Sequence, residues 1–122
     1  MARVLVMDDD TDVLNYMTDA LATVPCEVMV ATDGRTGLNL YLVHHPDLVI
    51  VDIYLPERDG LDVILELTAL EPVKIIAVSG GAHGHGELED VLETARDFGA
   101  TAVLKKPLRL DDLIKTVKDA LG

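Results

Sequence analysis

Asp47-Leu48-Val49-Ile50-Val51-Asp52-Ile53-Tyr54-Leu55-Pro56-Glu57-Arg58-Asp59-Gly60 is the stretch on which the reading of this chain turns. Leu48 to Val51 are uninterrupted apolar residues, and Val49, Ile50 and Val51 are β-branched. Such a run fits a strand covered by helices on both faces rather than one exposed on one side. It puts Asp52 near the C-terminal end of that strand, the edge at which open α/β sheets bind ligands. Pro56 and the Asp59-Gly60 pair then turn the chain into a loop, which leaves the carboxylate at the rim of a cleft.

Working outward, Arg3 to Met7 reads as a short apolar strand that runs into Asp8, Asp9 and Asp10. Asp10 suits the N-cap of a helix reaching about Thr23, with Val13, Leu14, Met17, Ala20 and Leu21 on one face. Structure alone has no use for Asp8 and Asp9. Glu27 to Thr32 predicts a second strand, followed by a turn or cap at Asp33-Gly34. A helix carrying Leu38, Tyr41 and Leu42 then runs to about His44, stopped by Pro46. After the Asp52 strand, an apolar helix is expected from about Gly60 to Ala69, closed by Pro72. Val73 to Val78 predicts a fourth strand ending at Ser79. Gly80, Gly81, Gly84 and Gly86, with His83 and His85 between them, form the stretch that composition makes most flexible. A helix from Glu87 to Phe98, stopped by Gly99, leads to a strand over Thr101 to Leu104. Lys105-Lys106-Pro107 ends it, and a last helix carries Leu110, Leu113, Ile114, Val117 and Leu121. Five rounds of strand and helix with short connections predict one α/β domain over residues 1–122, a single parallel sheet with helices on both sides.

Composition narrows the function. A chain of 122 residues buries about two-thirds of its unfolded surface on folding, enough for a core without metal or disulfide staples. The single cysteine, Cys26, cannot form an internal bridge, and no secretory leader pattern is visible, so a reducing cytoplasm is the expected home. No apolar run approaches the length of a membrane span. A formal charge of −12 speaks against direct binding to nucleic acid.

The polar residues left without a structural purpose collect at strand ends: Asp8 and Asp9 on the first, Asp52 on the third, Ser79 on the fourth and Lys106 on the fifth. In a parallel sheet these ends share one edge. Two carboxylates about 5 Å apart repel by roughly 3 kcal/mol at an effective dielectric of about 20, so three together call for protons or a cation. Oxygen ligands suit a hard ion such as Mg2+, a lysine supplies a point charge for an anion, and a serine supplies a hydroxyl donor. This is the equipment for placing a phosphoryl group on the Asp52 carboxylate. His83 and His85 lack a third ligand nearby and read as surface groups, His44 and His45 as a helix end, Lys105 as a solvated lysine and Cys26 as inert.

Val-Met-Asp-Asp at 6–9, Val-Asp-Ile-Tyr-Leu-Pro-Glu-Arg-Asp-Gly at 51–60, Val-Ser-Gly at 78–80 and Lys-Lys-Pro-Leu at 105–108 occur in the order and spacing of the response regulator receiver domain of two-component systems. The whole chain resembles that family, with single-domain chemotaxis-type receivers the nearest functional type. The resemblance implies a flavodoxin-like strand order 2-1-3-4-5. It implies that Asp52 accepts phosphate from a histidine kinase or histidine phosphotransfer protein. It implies Mg2+, with Mn2+ as its equivalent, held by Asp9, Asp52, the backbone carbonyl of Tyr54 and, partly through water, Asp8. Ser79 and Lys106 would bind the phosphoryl oxygens. The chain ends with its fifth helix, so the expected role is a stand-alone phosphorylation-dependent binding switch, not an enzyme, with a downstream protein partner. Two departures stand out. Val103 occupies the place, three before the lysine, where the family often has an aromatic ring that turns inward. The segment from Ser79 to Lys106 is also longer than usual, which places the expected output change in the glycine stretch and the start of the fourth helix. A Mg2+-dependent phosphohydrolase of the haloacid dehalogenase type is the rival reading. It wants Asp-x-Asp-x-Thr/Val, whereas Asp12 stands at the last position here. A degenerate, phosphate-independent receiver is a further alternative, opposed by the intact acid and lysine set. A dinucleotide-binding domain lacks its glycine fingerprint after the first strand.

Overall fold

A computed structural model of the protein describes residues 1–80 and 88–122. The elements are β1 (Ala2–Met7), α1 (Thr11–Leu21), β2 (Cys26–Ala31), α2 (Gly34–His44), β3 (Leu48–Asp52), α3 (Gly60–Leu70), β4 (Lys74–Gly80), α4 (Leu88–Asp97), β5 (Ala102–Lys106) and α5 (Leu110–Leu121). All strands pair in parallel in the order β2-β1-β3-β4-β5, the flavodoxin-like arrangement expected. The glycine stretch with His83 and His85, and the expected output change there, lie outside the described residues.

Alternation along the strands divides the interior into two cores. Leu48 and Ile50 of β3 pack with Val4, Val6, Leu14, Met17, Leu21, Leu113 and Val117 beneath α1 and α5. Val49 and Val51 face the other way, into Leu5, Met7, Tyr41, Val63, Ile64, Leu67 and Ala95 beneath α2, α3 and α4. Every residue of β3 is buried, whereas the edge strands β2 and β5 are largely half-exposed. Each buried Val, Leu or Ile contributes about 1.5 to 3 kcal/mol, so this double-sided burial outweighs any local propensity.

The predicted boundaries shift by a few residues where tertiary pairing decides. The fourth strand runs one residue past Ser79 to Gly80, and the fifth runs on through Lys105 to end at Lys106. The β4 and β5 backbones stay paired through Ser79 with Lys105 and Gly80 with Lys106. α1 stops at Leu21 rather than near Thr23. Leu42 and Leu110, expected on buried faces, are 52% and 47% exposed. Asp10 caps α1 as read, accepting from the N–H groups of Asp12 and Val13. His45 closes α2 in the left-handed conformation, and its Nδ1 lies 2.9 Å from Glu71 Oε1, which also accepts from the Tyr41 hydroxyl at 2.6 Å. Gly99 stops α4 with φ of +120°, a value that disfavours any side chain.

Candidate functional site

The C-terminal ends of β1, β3, β4 and β5 bring together Asp8, Asp9, Asp52, Ser79 and Lys106. β1 and β3 are in register to Met7 and Val51, so the next residues, Asp8 just past β1 and Asp52 at the end of β3, lie side by side. The Asp8 N–H donates to Ala31 O at 3.1 Å, which continues the β1 to β2 ladder and fixes the backbone beneath the carboxylate. Asp8 Oδ1 accepts from the Asp10 N–H at 2.9 Å. Asp10 therefore serves twice, its side chain starting α1 and its backbone holding Asp8. Asp52 Oδ1 accepts from the Tyr54 N–H at 3.0 Å, and the Gly60 N–H donates to Ile53 O at 2.8 Å, closing the loop behind the aspartate.

Lys106 ties the carboxylates together. Its Nζ lies 2.8 Å from Asp8 Oδ2 and 2.9 Å from Asp52 Oδ2. Asp8 is completely buried and Asp52 is 5% exposed, so this one ammonium neutralises part of a buried acidic pair. Burial pushes the Asp52 carboxyl above the ordinary aspartate range, opposed by the bonds from Lys106 and the Tyr54 N–H and reinforced by the charge of Asp8. Burial works against the Lys106 ammonium as well, but the bonds from Asp8 and Asp52 outweigh it and hold the group above the usual lysine range.

The donor set fits a hard divalent cation. One carboxylate oxygen from each of Asp8, Asp9 and Asp52 lies within 4.8 Å of the others. Asp8 Oδ2, although buried, accepts no well-angled hydrogen bond among the described residues and has the ion pair to Lys106. Three carboxylates so close together offer oxygen ligands of the kind that suit a hard cation such as Mg2+ rather than a soft metal. The sequence reading ranked Asp9 as the direct ligand and Asp8 as the indirect one. The structure leaves Asp9 exposed and buries Asp8 against the lysine.

Ser79 is buried near the end of β4, and among the described residues its hydroxyl is held only weakly, with Oγ 3.5 Å from Gly80 O. Tyr54 sits half-buried in the loop after β3, and Val103 of β5 packs on the core beneath α4. Cys26 is half-buried and desolvation raises its thiol pKa, in keeping with an inert residue. On the far side of Lys106, a groove of about 810 Å3 runs between α4, β5 and α5, bordered by Leu92, Arg96, Val103, Arg109 and Asp112. Sequence reading missed the bridging role of Lys106, because nothing along the chain says which carboxylates an ammonium 54 residues from Asp52 will meet.

Comparison with known proteins agrees with this geometry. The family model for the response regulator receiver domain matches residues 4–118. The transcriptional regulatory protein PdtaR of Mycobacterium tuberculosis is 32% identical over 98% of this chain, and the regulatory protein AtoC of Escherichia coli is 34% identical over the same share. The chain spans 57% of the former and 25% of the latter. Among solved structures, a response regulator receiver domain protein from Clostridium thermocellum superposes with a TM-score of 0.88 at 28% identity, covering 99% of this chain and 94% of that one. The receiver domain of NtrX from Brucella abortus gives 0.87 at 30% identity over 97% of each chain. Asp10, the second aspartate of the rival phosphohydrolase pattern, caps α1 through Oδ1. The fold, the strand-end acids and these matches together make the chain a member of the response regulator receiver domain family, a signalling domain of two-component systems.

Proposed function

We propose that this domain accepts a phosphoryl group on Asp52 from a phosphohistidine of a histidine kinase or histidine phosphotransfer protein, and that phosphorylation changes its affinity for a protein partner. An oxygen of the Asp52 carboxylate attacks phosphorus in line, the phosphorus–nitrogen bond breaks, and the imidazole leaves with its electron pair and takes up a proton. Both oxygens of Asp52 have partners, Oδ1 the Tyr54 N–H at 3.0 Å and Oδ2 the Lys106 ammonium at 2.9 Å, so the attacking oxygen exchanges one of these bonds for the phosphoryl group. Mg2+ held by Asp8, Asp9, Asp52 and the backbone carbonyl of Tyr54 would neutralise charge on the transferring group. The single observation that carries the reading is Lys106 bridging two buried carboxylates at 2.8 and 2.9 Å. An ammonium so placed can follow the new phosphoryl oxygens, and its strand borders the α4–β5–α5 groove. Movement at the acid cluster would thereby reach a surface. The weakly held Ser79 hydroxyl is free to donate to the same oxygens. The reading is of a receiver domain over residues 1–122 that works in the cytoplasm through protein partners, its own chemistry limited to transfer and loss of its phosphoryl group.

Intact-mass measurement after incubation with acetyl phosphate tests it. Wild type with Mg2+ should gain one labile phosphoryl group; EDTA and Asp52→Asn should each abolish the gain. Uptake by Asp52→Asn at the wild-type rate would remove Asp52 as the acceptor.

A further inference from the structure

The first turn of α2 touches the end of β1 and the loop that follows β3, and it does so through glycine. The Gly34 N–H donates to Pro56 O at 3.3 Å, in the loop that follows Asp52. A Cβ on Gly34 would stand 2.5 Å from Arg58 Cβ and closer still to the Arg58 carbonyl oxygen, so backbone rather than a rotatable side chain blocks it. One turn later, a Cβ on Gly37 would stand 2.8 Å from Cγ and Cε of Met7 and closer to the sulfur. Met7 is completely buried and directly precedes Asp8. The turn itself is stiff. Asp33 Oδ1 accepts from the Thr36 N–H at 2.7 Å and Oδ2 from the Thr36 hydroxyl at 3.0 Å. The loop it presses on is also tight, with Glu57 at φ of +67°, the Arg58 N–H on Pro56 O at 2.7 Å and Arg58 paired with Glu66.

We propose that Gly34 and Gly37 are positioning residues of the cation site, the first turn of α2 acting as a spacer that sets the distance between Asp8 on one side and the loop that follows Asp52 and carries Tyr54 on the other. The proposal rests on the reading of the acid cluster as a Mg2+ site. Mg2+ demands near-ideal octahedral geometry at about 2.0–2.1 Å, whereas Ca2+ accepts about 2.3–2.6 Å and irregular shells. A side chain that wedges the loop away from β1 should therefore weaken Mg2+ far more than Ca2+. General destabilisation would not move that ratio.

The test titrates Mg2+ and Ca2+ into wild type, Gly34→Ala, Gly37→Ala, Gly37→Ala with Met7→Val, and Gly99→Ala, following the amide NMR signals of Asp9 and Tyr54, with urea unfolding of each variant. Gly99→Ala is the stability control. It forces a side chain into φ of +120° and to 2.7 Å from Thr68 Cγ2, at the end of the sheet opposite the acids. Disturbing groups that orient metal ligands typically weakens binding 10- to 100-fold, so Gly34→Ala should lose Mg2+ affinity by at least about tenfold and shift the Mg2+ to Ca2+ ratio. Gly37→Ala should lose less, because Met7 can yield, and adding Met7→Val, which shortens the side chain in the way, should restore it. Gly99→Ala should keep wild-type affinity while losing stability. Wild-type Mg2+ affinity in both Gly34→Ala and Gly37→Ala, or losses that match Gly99→Ala, would overturn the proposal and leave the Mg2+ reading standing. If Gly34→Ala does not fold, the Gly37→Ala pair decides. A wild type that binds no Mg2+ would overturn both.

Discussion

Lys106→Met removes the one ammonium from a buried acidic pair and keeps the apolar stem. Opposed carboxylate oxygens within 4.8 Å repel by about 3–4 kcal/mol at an effective dielectric of about 20. Losing one partner of a buried ion pair typically costs about 3–5 kcal/mol. Lys106 is 22% exposed, so solvent screens little of this. In EDTA at neutral pH the variant should lose about 3 kcal/mol in urea unfolding followed by far-UV circular dichroism. Mg2+ should then repair it. A ligand at about 100 times its dissociation constant adds about 2.7 kcal/mol, and with no ammonium at the shared oxygens the variant should bind the cation more tightly than wild type. The Mg2+-dependent gain should accordingly be larger in Lys106→Met. A variant as stable as wild type in EDTA, or equal gains in the two proteins, would refute the picture of the lysine as an occupant of the cation's place.

Tyr41→Phe deletes the 2.6 Å bond from a phenol that is 2% exposed to the Glu71 carboxylate and should cost about 1–2 kcal/mol. Burial, then Glu71, raises the Tyr41 pKa, so its contribution is complete below the unfolded tyrosine value of about 10 and fades as pH climbs through the folded value. Bonds from Tyr41 and His45 lower the Glu71 pKa, giving stability that is present above about pH 4.3 and lost as pH falls through the folded value. The pH–stability curve of Tyr41→Phe should thus be flatter than wild type on both limbs. Asp10→Ala should cost about 1 kcal/mol in thermal or urea unfolding through loss of the α1 cap. It should leave Mg2+ affinity near wild type, because the backbone N–H that holds Asp8 remains.

The βα alternation and the strand ends carrying Asp8, Asp52 and Ser79 were legible because burial on both faces writes itself as unbroken apolar runs such as 48–51. The Asp10 cap was legible because a short acid before a helical period has one common use. The fifth strand was read two residues short, since charge reads as the end of a strand, yet an edge strand tolerates Lys105 and Lys106 while its backbone stays paired up to Pro107. Leu42 misled in the opposite sense. On α2 the cover from the sheet is narrow, and Tyr41 takes it. Contacts between remote segments left no mark along the chain. The bridge from Lys106 to Asp8, the Tyr41–Glu71–His45 cluster and the pressing of Gly34 on Arg58 depend on strand order and loop approach, which local pattern does not carry.

The difference in burial between β3 and β5 also divides labour in time. Asp52 tops a strand held by neighbours on both edges and by a core on each face, whose opening requires the whole domain to unfold. Lys106 tops a strand with a neighbour on one edge only and with every residue at least partly exposed. Amides of Val49 to Val51 should therefore exchange only at the global limit, while those of β5 open by local excursions. On the proposed function, a phosphoryl group on Asp52 should therefore displace the outer strand that carries Lys106 more readily than the central strand that carries the aspartate itself.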